Sequence, residues 1–446
     1  MEFLKAKEKI KKELIALRKE KESRIFKISV QIEECEPIFW LEKQPFDKKI
    51  YWKDRNSEFI CAGVSEAFYI KGEEKPFYKG IFKKIATILS ISSPEVRFFG
   101  GMRFPLYKNS NEWELFGNYY FFVPLFELLK KGQHFYLTCN VKTPIKDLGI
   151  ILAQLKKLNL TSKPKAKNLL FNYSLRQDIP EKSQWKKDVI SAVKDIKEGK
   201  LVKVVLARKS SFFLKDSFNP FLFMSDIRWR SEPAYHFIIQ PSLDKVFLSM
   251  SPERIYHRKG DTIDTEAVAG TRRRGSTQEE DSSLSVELKK SKKELTEHRL
   301  VSETLKEKMS SICSFFKVEK KEALLKLSYM QHLYTSFSGK LIRPMSDAEL
   351  MELFYPNPAI AGYPIEEAIE KIEHIERFDR GWYSGPFGWI SKDASEFVVS
   401  IRSALVEGNT IHLYSGAGIV AESDPDKEWE ELNSKIQNFT SVLVKS

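Results

Sequence analysis

Six short stretches of the sequence carry residues whose types and spacing can do chemistry. In LVKVVLAR, Lys203 opens an apolar run. Read as a strand, it places Lys203, Val205 and Ala207 on one face and Val204, Leu206 and Arg208 on the other. A lysine desolvated there can have its pKa lowered enough to act as a base; the ordinary alternative is a strand-end lysine snorkelling to water. In SMSPERIYHRKG, Glu253 follows Ser-Pro after an apolar run, at a turn pointing away from a sheet. Burial would raise the pKa of that carboxyl and make it a general acid; a solvated turn glutamate is the alternative.

Two further stretches each offer carboxylates three residues apart. KKELTEHRLV carries Glu294 and Glu297 with His298 beside them, and KEWEELNSK carries Glu428 and Glu431 with Lys435 one turn on. On helices this spacing puts each pair on one face. Two such helices suit a hard divalent cation such as Mg2+, which takes oxygen ligands and keeps waters for a substrate anion. Surface helices rich in Glu and Lys give the same pattern, so neither pair alone identifies a metal. YSGAGIV (Gly416, Ala417, Gly418) is not G-x-G-x-x-G and lacks a strand–helix–strand setting, which argues against a dinucleotide site. Its glycines would let the backbone approach an anionic ligand closely. Arg402, among the apolar residues of FVVSIRSALV, calls for a carboxylate from the protein or a ligand.

The elements that position these residues can be read from periodicity. MEFLKAKEKIKKELIALRKEKESR, with Leu4, Ile10, Leu14 and Leu17, reads as an amphipathic helix. Aromatic and β-branched runs follow (RIFKISVQI, PIFWLEK, KKIYWK, EFICAGV, VRFFGGMRF, YYFFVPLFELL, HFYLTCNV), separated by turn formers as in an antiparallel sheet. A helix is predicted over Trp185–Glu198, closed by Gly199, then the strand LVKVVLARKSSFFL. Strands HFIIQP and KVFLSM, a loop around GTRRRGS and a long helix from about Glu287 to Lys308 come next. Strands GPFGWI, EFVVSIRSALV and TIHLYSGAGIV and a helix through EWEELNSKIQNF close the chain. Clustered strands and helices without steady alternation indicate an α+β fold with large antiparallel sheets. Asn159–Pro180 is the most plausible internal connection, and no linker splits residues 1–446 into separate domains.

Composition narrows the classes. The 446 residues are 42% hydrophobic, enough for a large core, which excludes a disordered chain. The net charge of +12 is intermixed with acids, and no zinc-finger, RNP-like or basic-heptad motif accompanies it. A basic nucleic-acid-binding protein is therefore a remote alternative, and an anionic small molecule suits the charge as well. Cys35, Cys61, Cys139 and Cys313 are far apart, with neither a disulfide framework nor zinc spacing, as in a reducing compartment. The N-terminus lacks a signal-peptide core, and the most apolar stretch, Leu115–Leu129, is too short to span a bilayer. The expectation is a soluble, cytoplasmic monomer.

Taken in order, KVVLAR, SPE, AVAGTRRRG, KKELTEHRLV, QHLYTSFSG, YPNPAIAGYP, FDRGWYSGPFGW, FVVSIRSA, YSGAGIV and EWEELNSK resemble the chorismate-utilising enzymes. The match is specific over residues 185–439 and looser over 1–180, where VRFFGGMRF and WELFGNYYFF carry it. The resemblance implies an anthranilate synthase component I-like fold: one large α+β domain of two packed antiparallel sheets, helices outside, and a site in the cleft between them. Within the family, lysine at position 203 matches the isochorismate- and salicylate-forming members, whereas the amine-adding ones carry glutamine. Ala269 in AVAGT stands where aminodeoxychorismate synthases have a nucleophilic lysine. YPNPA resembles the H-P-T-P-A of isochorismate synthases, with Tyr355 and Asn357 as departures.

The implied activity is Mg2+-dependent isochorismate synthesis from chorismate, feeding menaquinone or siderophore/salicylate formation; a salicylate synthase is the alternative. By resemblance Lys203 is the base and Glu253 the acid. Mg2+ would sit on Glu297 and Glu431, with Glu294 and Glu428 aligned to its waters. Arg402, the backbone of Gly416, Ala417 and Gly418, and Lys435 would meet a substrate carboxylate. Gly270, Thr271, His332 and Ile360 would line the ring, His332 being otherwise an ordinary core histidine.

Overall fold

Apolar alternation dictates strands through most of the chain, and in the computed structural model those strands join edge to edge. The structure describes residues 2–108, 110–159, 170–215, 218–228 and 233–445. One branch runs, in hydrogen-bonded order, through Ile25–Ile32, His134–Lys142, Tyr119–Lys131, Phe59–Gly72, Lys49–Lys53 and Tyr235–Ser242. It continues through Lys245–Ser251, Ser403–Glu407, Thr410–Ile419, Lys203–Leu214 and Phe171–Ile179. A second branch leaves Tyr119–Lys131 at its N-terminal half. It passes through Phe98–Met102, Pro386–Ile390, Ala394–Val399, Arg254–Lys259, Thr262–Arg273, Met330–Leu341 and Cys313–Lys326. All these pairings are antiparallel; Leu443–Lys445 pairs in parallel with the start of Phe171–Ile179. The two expected sheets are thus two layers of one hydrogen-bonded network, joined at Tyr119–Lys131.

The layers face each other through an aromatic core. Trp52, Phe237 and Phe247 of one branch meet Phe99, Phe387 and Trp389 of the other, with Phe237 and Phe387 stacked at 3.8 Å between centroids and 10° between planes. Helices cover the outer faces: Phe3–Leu17, Pro37–Lys43 and Leu148–Lys157 on the first branch, and Tyr78–Ile91, Lys292–Ile312 and Asp347–Phe354 on the second. Among the described residues no helix is long and apolar enough to cross a membrane, and all four cysteines are free and buried.

Several expected elements differ in form. The N-terminal helix buries Phe3, Ala6, Ile10 and Leu14, while Leu4 is exposed. PIFWLEK is a helix, Pro37–Lys43, rather than a strand. Proline at its first turn presets a helical φ, and an unbroken apolar run carries no alternation to specify a strand. The loop expected at GTRRRGS is instead largely strand. Gly270, at φ +76°, takes up a bulge, and the pairing resumes at Thr271 and runs to Arg273. The long helix from Glu287 is two, Gln278–Lys290 and Lys292–Ile312, because Ser291 ends the first and caps the second through Glu294 N–H. The final helix likewise breaks at Ile436 into Pro425–Lys435 and Gln437–Thr440. Of the expected connection Asn159–Pro180, residues 160–169 lie outside the described residues and Phe171–Ile179 is a strand.

FVVSIRSALV, expected as one strand, is two, and the break matters most. Ala394–Val399 belongs to one branch and Ser403–Glu407 to the other, so the chain changes layers at residues 400–402. A second change of layer lies alongside, at Pro252–Glu253 between Lys245–Ser251 and Arg254–Lys259. Backbone bonds Val399 N–H to Glu253 O (3.1 Å) and Met250 N–H to Arg402 O (3.1 Å) tie the two crossings together.

Candidate active site

The two crossings open one cleft. Glu253 and Arg402 line it, with Gly270, Thr271, Glu297, His332, Ile360, Gly416, Gly418 and Lys435 from the surrounding strands and helices. Counted out to its mouth, and with open solvent included, the cleft holds about 670 Å³ of non-protein space.

Lys203 is fully buried at the start of Lys203–Leu214, on the same strand face as Val205, which lines the cleft. Its Nζ lies 2.8 Å from Glu297 Oε1. Burial opposes ionisation of Glu297, but the charge and hydrogen bond of Lys203, helped by Lys435 and Lys293, outweigh it and hold the carboxyl below its ordinary value. Strand pairing sets Gly418 against Val205. A Cβ at Gly418 would stand 2.6 Å from Glu297 Oε1 and 2.7 Å from Lys203 Cε. The glycine therefore makes the space the ion pair occupies.

Glu253 is buried, and burial first, with the Glu266 charge, pushes its carboxyl up to about 7 against the lowering effect of an Asn357 hydrogen bond and of Lys203 and Lys435. This is the environment expected of a general acid. Arg402 holds the left-handed conformation at φ +52°, unusual for a side chain with a Cβ. Its Nη1 donates to Lys435 O (3.1 Å) and its Nη2 to His332 Nε2 (3.1 Å). An accepting Nε2 leaves the proton on Nδ1, which donates to Thr271 Oγ1 at 3.0 Å. Burial and the Arg402 and Lys435 charges keep His332 neutral, well below its usual pKa. Lys435 Nζ reaches Gly416 O (2.8 Å) and Glu431 (2.6 Å).

The four carboxylates stand between this cleft, which Glu297 lines, and a second cavity lined by Glu294, Glu428 and Glu431. Burial, then the Glu297 and Glu431 charges, lift Glu294 to about 7, and burial with Glu431 raises Glu428. An all-oxygen cluster with more negative charge than its surroundings balance fits a hard divalent cation. Here the carboxylates turn to other partners: Glu294 accepts from Thr271 N–H at 2.8 Å, and Glu428 pairs with Lys293 at 2.7 Å. Among the described residues no three acidic, histidine or cysteine side chains converge as a ready-made metal cage.

Two side chains named above point elsewhere, though the expected contact at Ala417 is through its backbone. Ala417 sits between the two glycines with its side chain in the core on the opposite face, since strand alternation turns it away from the cleft. His298 also faces away from the carboxylates; its Nε2 meets Thr335 Oγ1 at 2.8 Å. Other cleft residues escaped the sequence reading: Tyr383, Ser384, Ile401 and Tyr414. Tyr383 and Tyr414 stack at 5.3 Å and 17°, and Ser384, like Arg402, is left-handed at φ +61°. The motif FDRGWYSGPFGW contained Tyr383 and Ser384 but gave no sign of which side chains face inward.

The profile of the family described as "Chorismate binding enzyme" matches residues 8–444. The chain belongs to this family. It is 34% identical to isochorismate synthase 2, chloroplastic, of Arabidopsis thaliana over 396 residues, covering 86% of this chain and 70% of that one. To the isochorismate synthase MenF of Bacillus subtilis it is 30% identical over 465 residues, 97% of each. The structure of MenF, the menaquinone-specific isochorismate synthase of Escherichia coli, superposes with a TM-score of 0.83 at 26% identity, covering 98% of this chain and 99% of that one. The anthranilate synthase component I of Streptococcus pneumoniae shares the fold, with a TM-score of 0.69 at 19% identity over 86% of this chain and 92% of that one.

Proposed function

We propose that this chorismate-binding enzyme is an isochorismate synthase, an isomerase that adds water at C2 of chorismate and expels the C4 hydroxyl. The observation that carries this reading is a buried carboxyl lifted to about 7, Glu253, facing the same cleft as the Lys203–Glu297 pair.

In the reaction, Lys203, after giving up the proton it holds in the ion pair with Glu297, takes a proton from the attacking water as the C2–O bond forms. The ring double bonds shift, the C4–O bond breaks, and Glu253 protonates the departing hydroxyl, which leaves as water. Lysine gains the proton that glutamate loses, and exchange with solvent resets both. Chorismate is a dianion; Arg402 and Lys435 supply cationic contacts in the cleft. Gly270 and Gly416 leave backbone open beside it, and Thr271, His332 and Ile360 form its wall. Glu297 and Glu431 would hold Mg2+, with Glu294 and Glu428 on its waters, and the ion supplies charge neutralisation at the ring carboxylate.

The chain acts as one unit over residues 1–446. The reading is supported by Arg55, which donates to Pro252 O at 2.6 Å next to Glu253 and pairs with the buried Glu266. Four free, buried cysteines suit a cytoplasmic setting.

Incubation of the purified protein with chorismate and Mg2+ tests the function, with isochorismate followed by chromatography and pyruvate by a coupled assay. Isochorismate without pyruvate is the expected result. Stoichiometric pyruvate would make the protein a salicylate synthase, and neither product would overturn the reading.

A further inference from the structure

Asn357 is buried behind Glu253 and does not line the cleft. Its Nδ2 donates to Glu253 Oε1 at 3.2 Å, and its Oδ1 accepts from Ala359 N–H at 2.8 Å. The second bond settles the orientation of the amide, because a backbone N–H can only be met by the oxygen. The NH2 group therefore faces the carboxyl. Two turn bonds, from Ile360 N–H (3.2 Å) and Ala361 N–H (3.1 Å) to Asn357 O, anchor the residue independently of its side chain.

We infer that Asn357 is a positioning residue for the acid, fixing which oxygen of Glu253 carries the proton that is delivered to the substrate. An amide N–H donates best to the carbonyl oxygen of a neutral carboxyl, so Oε1 is the carbonyl and the transferable proton resides on Oε2. Without that donor the carboxyl can rotate and place its proton toward the turn instead of the cleft. The role rests on the isochorismate synthase reading and deepens it.

The same contact bears on the protonation of Glu253. The charged groups that act on this carboxyl are Glu266, which disfavours ionisation, and Lys203 and Lys435, which favour it; the Asn357 bond also favours the ionised form. Losing the donor therefore moves the acid's titration upward.

The test is Asn357→Asp, which keeps an oxygen for Ala359 N–H but replaces the donor by an acceptor, with Asn357→Ser as a shorter side chain that restores a hydroxyl donor. For Asn357→Asp at pH 7 we expect turnover to fall about 10- to 100-fold, part of the 10²–10⁴ that a positioned acid supplies, and KM for chorismate to stay within about twofold. The alkaline limb of kcat/KM should move up by about one pH unit, and Asn357→Ser should recover part of the rate. Melting temperatures of both variants report folding. Unchanged turnover and an unmoved alkaline limb in Asn357→Asp would overturn the inference, as would a loss confined to KM. Failure of the unaltered protein to form isochorismate would overturn the functional reading instead, and that is read without any variant.

Discussion

Lys203 Nζ and Glu297 Oε1, 2.8 Å apart, meet in a space that exists because residue 418 has no side chain. Gly418→Ala would drive a methyl against the ends of both side chains. These can swing away at small cost in stability, but not without losing their mutual geometry. Turnover should fall at least about tenfold, with a melting temperature within a few degrees of the parent. A variant with full activity would separate the ion pair from catalysis.

Glu253→Gln should lower turnover by about 10²–10⁴ with little change in KM, and should abolish the fall in activity above about pH 7. Stability should move the other way. The folded carboxyl titrates near 7 against an ordinary 4.5. Its contribution is therefore fully present below about pH 4.5 and is lost as pH rises through 7. At pH 8 the glutamine variant should be more stable than the parent by on the order of 3 kcal/mol, and at pH 4 nearly equal. Urea unfolding at the two pH values measures this.

Arg402 pairs a binding role with a strained backbone. Arg402→Gly and Arg402→Ala should both raise KM for chorismate at least about tenfold, since each removes the guanidinium. At φ +52°, the glycine variant escapes a penalty that alanine keeps, so it should be the more stable by about 1 kcal/mol. Equal stabilities would show the backbone relaxing in one of them.

Glu297→Gln and Glu431→Gln should each raise the Mg2+ concentration for half-maximal activity at least about tenfold. Glu297→Gln also leaves the buried Lys203 charge without its counter-ion. Breaking such a pair costs about 3–5 kcal/mol, less here because the amide still accepts a hydrogen bond. Unaltered Mg2+ dependence in both would remove these carboxylates from the metal site.

A fragment beginning near Trp185 should not fold. Tyr235–Ser242 loses its partner Lys49–Lys53, Pro386–Ile390 loses Phe98–Met102, and Glu266 loses Arg55. Circular dichroism and amide exchange of the fragment check this; a cooperative, active fragment would place the fold in residues 185–446 alone.

Much of this architecture was legible because strands alternate and the family motifs fall in order. Lys203 was placed on the correct strand face by period-two reasoning, and Gly199 was recognised as a helix terminator; it sits at φ +77°. What escaped were features that depend on distant residues. Glycine at 270 reads locally as a loop, yet tertiary pairing uses it as a bulge inside a strand. Nothing within FVVSIRSALV announces that the chain changes layers at Arg402, because both halves are apolar enough for either layer. Asn357 stood out only as a departure from a motif; its value lies in meeting Glu253, 104 residues away. The partner of Glu266, Arg55, is 211 residues distant and carries no local signature.

The strand Phe98–Met102 waits for its partner Pro386–Ile390 during synthesis. At about 5–20 residues per second, a ribosome needs roughly 15–60 s to cover that interval. Throughout it, Phe98 and Phe99 lack the layer that buries them, beside an open strand edge. Closure of the second layer is thus a late event, and the half-made chain presents a sticky face that a chaperone such as a nascent-chain holdase would have reason to cover. Slow decoding after residue 102 would lengthen the exposure, so the yield of folded protein should depend on translation speed in this interval.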